Sequence, residues 1–434
     1  MKKINVITLG CSKNTVDSEH LMARLAAAGY EVLFDSDRTD AKVVVINTCG
    51  FIGDAKQESV DMILRAAAAK NAGKIERLFV IGCLSERYAD SLRAELPEVD
   101  GFFGARTWDG IARALGAAED PALATERHLS TPRHYAYLKI SEGCNWKCGY
   151  CAIPLIRGGH VSVPMEELEE EARKLAAGGV KELIVIAQDI TKYGMDLPEH
   201  KRLLPELLRE LCKMDFTWIR LHYLYPDQIT DELIDVIADE PKIVKYLDIP
   251  LQHVSKRILR AMHRPGDGAE FTRLIENMRE RIPGLVLRTS LIVGLPGETE
   301  DEFAELCEFL QNVGIERVGV FEYSPEEGTE AAELPDQIDD ETKQNRRLIV
   351  EELQSGVLDD YNTSRHGEVM QVLCEGFDEE QGLWYGRTYA DSVEVDGHVY
   401  FDAADNEPAE GEFVSVLITE SLGPDLLGVR QKEA

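Results

Sequence analysis

Short apolar runs alternate with stretches of helical hydrophobic spacing along most of this chain, an order that a parallel sheet flanked by helices satisfies. Over residues 1–118 the candidate strands are Ile4–Leu9, Val43–Ile46 and Leu78–Ile81, separated by helical stretches near 15–28, 54–70 and 85–95. The stretch 119–133, with Glu119-Asp120-Pro121 and Thr131-Pro132-Arg133, reads as a linker. From Tyr135 to about 364 the alternation resumes, with strands at 135–140, 182–187, 218–222, 246–249, 286–292 and 316–321 and helices at 164–177, 230–239, 269–281 and 299–313. Six such units predict an open or closed parallel barrel. After a long polar helix near 340–362 the texture changes. Residues 365–434 offer β-like runs at Val369–Leu373, Trp384–Tyr389, Ser392–Val395 and Phe413–Ile418, punctuated by glycines, and predict a small all-β barrel. The expected division is therefore an α/β domain over 1–118, a partial (β/α)6 barrel over 130–364 and a β-barrel over 365–434.

A chain of 434 residues, 44% hydrophobic, can bury several cores. No run of eighteen apolar residues occurs, which argues against a membrane-spanning helix. The start, Met1-Lys2-Lys3 followed by Ile4 to Leu9 and Cys11, faintly imitates an export signal, but its apolar stretch is short and contains Asn5, so it reads as a buried strand. The expected compartment is the reducing cytoplasm, where nine cysteines serve as metal ligands or buried thiols. The 79 acidic residues outnumber 47 basic ones, for a net charge of −32. Nucleic acid is bound by displacing counterions with Lys and Arg, so this balance argues against it as a partner.

The densest chemical signal is Gly143-Cys144-Asn145-Trp146-Lys147-Cys148-Gly149-Tyr150-Cys151. Three thiolates on one loop after a strand suit three irons of a cubane and leave the fourth open. Zinc is the alternative. Structural zinc takes four ligands in paired spacing, and His160 lies beyond Cys151 without a partner. The segment resembles the cluster loop of the radical S-adenosylmethionine (SAM) superfamily. That resemblance implies a 4Fe-4S cluster on Cys144, Cys148 and Cys151 whose open iron binds SAM, with Tyr150 near the adenine. It also suggests Gln188 for the SAM amino end and Arg288 for the carboxylate, although either could be an ordinary barrel-lining residue. Pro250-Leu251-Gln252-His253 follows a strand and could face the same site, but a lone histidine is more often a structural hydrogen-bonder. Gly294-Leu295-Pro296-Gly297-Glu298-Thr299 lacks a Gly-Lys-Ser/Thr ending and reads as a strand-to-helix turn.

A second constellation is quieter. Cys11, Cys49 and Cys83 each end a predicted strand and each abuts a glycine. Parallel strands deliver their carboxyl ends to one edge, so the three thiols should meet in one cavity and hold a metal or cluster. Cys212, Cys307 and Cys374 differ, lying in Leu211-Cys212-Lys213, Leu306-Cys307-Glu308 and Leu373-Cys374-Glu375, and read as packing residues.

With both sets in place, the chain resembles the methylthiotransferase family of radical SAM enzymes, with an amino-terminal cluster domain, a radical SAM core and a terminal TRAM barrel. The matching residues are the six cysteines together with Pro154 and Arg157-Gly158. The resemblance implies two 4Fe-4S clusters and SAM as cofactors, and an electron donor and a sulfur donor as partners. One branch modifies an adenosine derivative of transfer RNA; the RimO branch modifies the β-carbon of an aspartate in ribosomal protein S12, free or in the small subunit. Within 365–434 four basic residues face sixteen acidic ones, a net of −12 that repels RNA and attracts a basic ribosomal protein. The texture of Tyr137 to Cys144, Ala187-Gln188-Asp189 and Tyr193-Gly194 also resembles the S12 branch. A two-cluster electron-transfer protein is the alternative of a different class. The sequence names no catalytic acid or base.

Overall fold

The computed structural model describes residues 2–37, 40–108, 110–117, 120–403 and 406–431. Met1, Glu119 of the expected linker, and Asp405, Lys432 and Glu433 of the charge balance lie outside the described residues. Strands β1 (Lys2–Thr8), β2 (Tyr30–Phe34), β3 (Val43–Thr48), β4 (Arg77–Gly82) and β5 (Gly101–Phe102) form a parallel sheet in the order β2-β1-β3-β4-β5. Helices α1 (Ser12–Ala27), α2 (Gly53–Asn71), α3 (Cys83–Glu95) and α4 (Gly110–Ala114) pack on it. The central strand β3 is buried at every residue, which is why Val43 to Ile46 form a continuous apolar run rather than an alternation. Sequence reading passed over β2, which is half-buried apart from the exposed Glu31, and β5, which has two residues.

The second sheet is built from β6 (Tyr135–Lys139) and, after a short hairpin of β7 (Ser141–Glu142) and β8 (Val161–Ser162), from β9 (Glu182–Ile186), β10 (Trp218–Leu221), β11 (Ile243–Asp248), β12 (Val286–Val293) and β13 (Arg317–Glu322). Its order is β13-β12-β11-β10-β9-β6, so the six predicted units form an open barrel. Helices α5 (Ile153–Arg157), α6 (Met165–Ala177), α7 (Leu204–Cys212), α8 (Asp231–Asp239), α9 (Lys256–Ala261), α10 (Gly268–Arg281) and α11 (Glu300–Val313) follow in turn. The turn before α11 ends in a capping box of Thr299 and Glu302, as expected of a strand-to-helix turn. Alternate strand residues divide between two cores. Leu138, Val185, Leu221 and Leu291 meet the outer helices, whereas Tyr137, Ile186 and Tyr246 line the concave inside.

Helix α12 (Asp340–Ser364) leads to a closed barrel of β14 (Val369–Asp378), β15 (Leu383–Arg387), β16 (Val399–Asp402), β17 (Phe413–Leu422) and β18 (Asp425–Arg430). The expected strand at Ser392–Val395 is a turn instead. These residues are used as a plug. Val393 packs on Tyr135, Tyr137, Ile184 and Ile186 inside the six-stranded barrel, and on Val16 of α1. Ser392 Oγ lies 3.0 Å from His222 Nε2, Arg317 Nη2 donates to Asp391 at 2.8 Å, and Tyr246 OH donates to Asp396 at 2.6 Å. A strand would turn half of these side chains away from the barrel. Beneath them, Glu182 accepts from Arg220 and Arg387, each at 2.6 Å, with all three side chains fully buried. The terminal barrel therefore supplies charge partners to the core, and part of its acidic excess is spent internally. No helix among the described residues is long and apolar enough to cross a membrane.

Candidate active site: two cysteine sets at one interface

Cys11 caps the start of α1, Cys49 follows β3, and Cys83 opens α3 after β4. Their strands are sheet neighbours, in register from Thr8 against Asn47 to Thr48 against Gly82, so one sheet edge presents all three thiols. Cys49 and Cys83 are buried and Cys11 is exposed. The flanking glycines are a steric requirement. A Cβ on Gly10, whose φ is +96°, would fall 2.8 Å from Cys49 Cβ, and one on Gly50 would fall 2.6 Å from the Leu84 nitrogen. Burial pushes the Cys49 thiol up and the Cys83 thiol to about 11, and each is raised further by the charge of Cys11.

Cys144, Cys148 and Cys151 lie on the loop between β7 and α5. The loop is held at several points. Cys144 N–H donates to Gly158 O at 2.9 Å, Gly149 N–H to Met262 O at 3.0 Å and Cys151 N–H to Cys148 O at 3.0 Å. Trp146 stacks on Tyr225 at 5.0 Å between centroids and donates from Nε1 to Asp189 at 2.8 Å, which braces the middle of the loop. Burial raises Cys144 to about 11 and Cys151 to about 12, with charge repulsion among the loop's thiolates adding to the rise. Thiols so raised surrender their protons to a bound metal rather than to water, so loading is favoured by higher pH. Among the described residues no three of His, Cys, Asp and Glu form a group able to hold a single metal ion. The donor chemistry of each set, three mutually interacting thiols and no imidazole or carboxylate among them, fits an iron–sulfur cluster.

The two sets share one interface. Cys83 packs with Ala105, Ala152 and Ile156, the last two belonging to the segment just after Cys151. Arg157, buried at the end of α5, spans the gap. Its Nη1 donates to Asp17 Oδ2 at 3.1 Å and to Glu142 Oε2 at 2.8 Å, its Nη2 donates to Asn14 Oδ1, and its charge bears on Cys83 and Cys11. Burial would raise Glu142, but Lys139 and Arg157 override it and hold the carboxyl near 2. Glu142 Oε1 also accepts from Gln188 Nε2 at 3.1 Å. Asp17, Asn14 and Glu142 escaped sequence reading because their roles depend on pairing across domains; Asn14 and Asp17 are three and six residues beyond Cys11, on one helical face, which was the available signal.

Gln188 follows β9 with its Oε1 buried and unsatisfied, a vacant acceptor at the barrel mouth. Tyr150 packs against the cluster that holds Met262 and Leu295. Arg288 lies on the inner face of β12, where Nη1 is committed to Asp248 at 2.8 Å and Ser290 at 3.3 Å. Its Nη2 edge carries no hydrogen bond among the described residues. Arg264, missed by sequence reading, lies against Cys148 with its guanidinium 4.1 Å over the Tyr225 ring, and its Nε and Nη1 have no partner. His253 does not face this site. It is fully buried, its Nδ1 accepts from Ser255 N–H at 3.0 Å, and burial lowers it to about 4. His160 Nε2 lies 3.1 Å from Ser162 Oγ and 3.4 Å from Asp196 Oδ1. Cys212 and Cys374 are core residues, and Cys307 packs against the core, as expected.

Residues 138–310 match the radical SAM superfamily, residues 3–104 match the uncharacterized protein family UPF0004, and residues 367–430 match the TRAM domain. The chain is 48% identical to a ribosomal protein uS12 methylthiotransferase RimO of Bacteroides fragilis, over 98% of this chain and 99% of that protein. RimO proteins of Flavobacterium johnsoniae and Cytophaga hutchinsonii are 48% and 45% identical, each over 98% of this chain and 97% of theirs. Among solved structures, the radical SAM methyltransferase TsrM of Kitasatospora setae, with cobalamin and a [4Fe-4S] cluster bound, shares the fold at a TM-score of 0.54 and 14% identity, covering 76% of this chain and 77% of that one. The cobalamin-dependent radical SAM enzyme OxsB does so at 0.54 and 11%, covering 82% and 56%.

Proposed function

The chain belongs to the RimO family of ribosomal protein uS12 methylthiotransferases, and from this we propose how its own residues divide the work. It is a radical SAM transferase that uses two 4Fe-4S clusters and SAM to place a methylthio group on the β-carbon of an aspartate in ribosomal protein S12. When bound, those groups supply the electron, the hydrogen-abstracting radical and the sulfur and methyl that are transferred. In our reading Cys144, Cys148 and Cys151 hold the cluster that binds SAM, and Cys11, Cys49 and Cys83 hold the other. Gln188 offers its unused Oε1 to the SAM amino group, Arg288 its open Nη2 edge to the carboxylate, and Tyr150 borders the adenine. Residues 1–118, 130–364 and 365–434 serve as cluster domain, radical core and TRAM domain. An electron donor and a sulfur donor complete the cycle, in the cytoplasm.

The observation that supports this division is the shared interface, where Cys83 packs on the segment after Cys151 and Arg157 links the two sides. An enzyme that makes a carbon radical and quenches it with sulfur needs both centres within reach of one substrate atom. An electron-transfer protein would have no use for the vacant acceptor of Gln188 at the barrel mouth. The test is an anaerobic reaction of reconstituted enzyme with SAM and either S12 or transfer RNA, read by mass spectrometry. Methylthio-aspartate in S12 is the expected product, and modification of transfer RNA alone would refute the reading.

A further inference from the structure

Eight Lys and Arg residues are buried in the described structure: Lys13, Arg157, Arg220, Arg264, Arg317, Lys343, Arg346 and Arg387. Six of them meet a carboxylate within 3.1 Å, as a low-dielectric interior demands. Arg264 lies against the Cys148 sulfur and donates to Pro250 O. Lys13 alone has neither a carboxylate nor any hydrogen-bond acceptor among the described residues, in a chain with 32 more acidic than basic side chains. Its ammonium lies over the face of the Tyr223 ring, 3.1 Å from the centroid. A ring face holds a cation but leaves its hydrogen-bond donors unspent.

The position of this ammonium gives it meaning. Lys13 stands in the first turn of α1, two residues after Cys11 and next to Asn14, which accepts from Arg157. Tyr223 follows β10 at the carboxyl end of the barrel strands, the edge that also carries Gln188. Lys13 is therefore presented from the amino-terminal domain to the mouth of the barrel, beside the interface of the two cysteine sets. The ring beneath it is fixed at a cost. Tyr223 has φ +66°, a left-handed conformation unfavourable for an aromatic residue, and is held there by its N–H on Asp248 at 3.1 Å and its carbonyl under Ile190 N–H at 3.2 Å. Strain of this kind persists where the surroundings impose it.

We propose that Lys13 is the recognition residue for the side-chain carboxylate of the substrate aspartate, with the Tyr223 ring as its platform. The inference rests on the S12 aspartate reading above. The reacting β-carbon is one bond from that carboxylate, so an ammonium clamped at the barrel mouth fixes the carbon that must be reached. Entry of an anionic side chain supplies the counter-charge that the protein itself withholds, whereas a carboxamide offers its oxygen as an acceptor but no charge to neutralise the ammonium.

The test uses the full, anaerobically reconstituted chain with S12 carrying either Asp or Asn at the modified position. Wild type should bind the Asp form more tightly and form methylthio-aspartate. Lys13→Met should weaken binding of the Asp form by about tenfold or more, leave binding of the Asn form within a few-fold, and keep iron content and SAM affinity. Lys13→Arg should recover part of the Asp preference. An unchanged Asp preference in Lys13→Met would overturn the role, as would a variant that loses SAM affinity while binding both S12 forms as wild type does, since the partner would then be the SAM carboxylate. A wild-type enzyme that binds Asp and Asn forms equally would also overturn it. Failure of wild type to modify S12 at all would instead refute the underlying function.

Discussion

Replacing Glu182 by Gln removes the charge on which two buried guanidiniums converge, at the joint between the six-stranded barrel and the terminal one. Burial alone would raise this carboxyl, yet Arg387 and Arg220 overcome it and bring it from an ordinary 4.5 to about 2. That difference corresponds to about 3 kcal/mol in favour of the charged form. Loss of one member of a buried pair costs about 3–5 kcal/mol. The lower figure applies, because Arg387 retains Glu375 at 2.8 Å and Arg220 retains the Tyr389 carbonyl at 2.9 Å. Amide hydrogen exchange reads the effect where it occurs. At neutral pH, β14 to β18 of Glu182→Gln should exchange about a hundredfold faster than in wild type, while β1 to β5 change little. The native carboxyl is depressed, so its contribution is complete above about 4.5 and fades as pH falls toward about 2. Wild type and variant should therefore converge in acid. A change below about threefold in β14 to β18, or an equal change in the amino-terminal sheet, would show that this ion cluster does not dock the terminal barrel.

Anaerobic reconstitution should load about eight irons per chain if both sets hold cubanes; stoichiometric zinc with little iron would contradict the cluster assignment. Gly50→Ala should lower that count toward about four by displacing the Cys83–Leu84 backbone, with SAM cleavage to 5′-deoxyadenosine retained; a full complement of iron would mean that the close approach is dispensable. Replacing Cys11, Cys49 and Cys83 together by Ala should leave 5′-deoxyadenosine formation but abolish methylthio product, and retained circular dichroism would separate this from misfolding. Normal methylthio-aspartate from that variant would make the amino-terminal thiols structural.

Much of this molecule is legible along the chain, because the determining interactions are local or follow from parallel topology. Apolar periodicity marks β3 and α11 within a few residues, the loop from Cys144 to Cys151 carries its own spacing, and Cys11, Cys49 and Cys83 are gathered because parallel strands end at one edge. The Gly10 and Gly50 neighbours of those cysteines are readable for the same reason: close backbone approach leaves no room for a Cβ. Other features exist only once distant segments meet. Ser392–Val395 has the composition of a strand but is drawn into a turn by His222, Arg317 and Tyr246, more than seventy residues away in sequence. Arg288 looks like a wholly free carboxylate binder until β11 places Asp248 against its Nη1, which leaves the Nη2 edge for that purpose. Lys13 is an unremarked helix residue until the fold places the Tyr223 ring beneath its ammonium. Charge and burial are properties of the assembled interior: desolvation makes each pairing matter, and no window of sequence contains both partners.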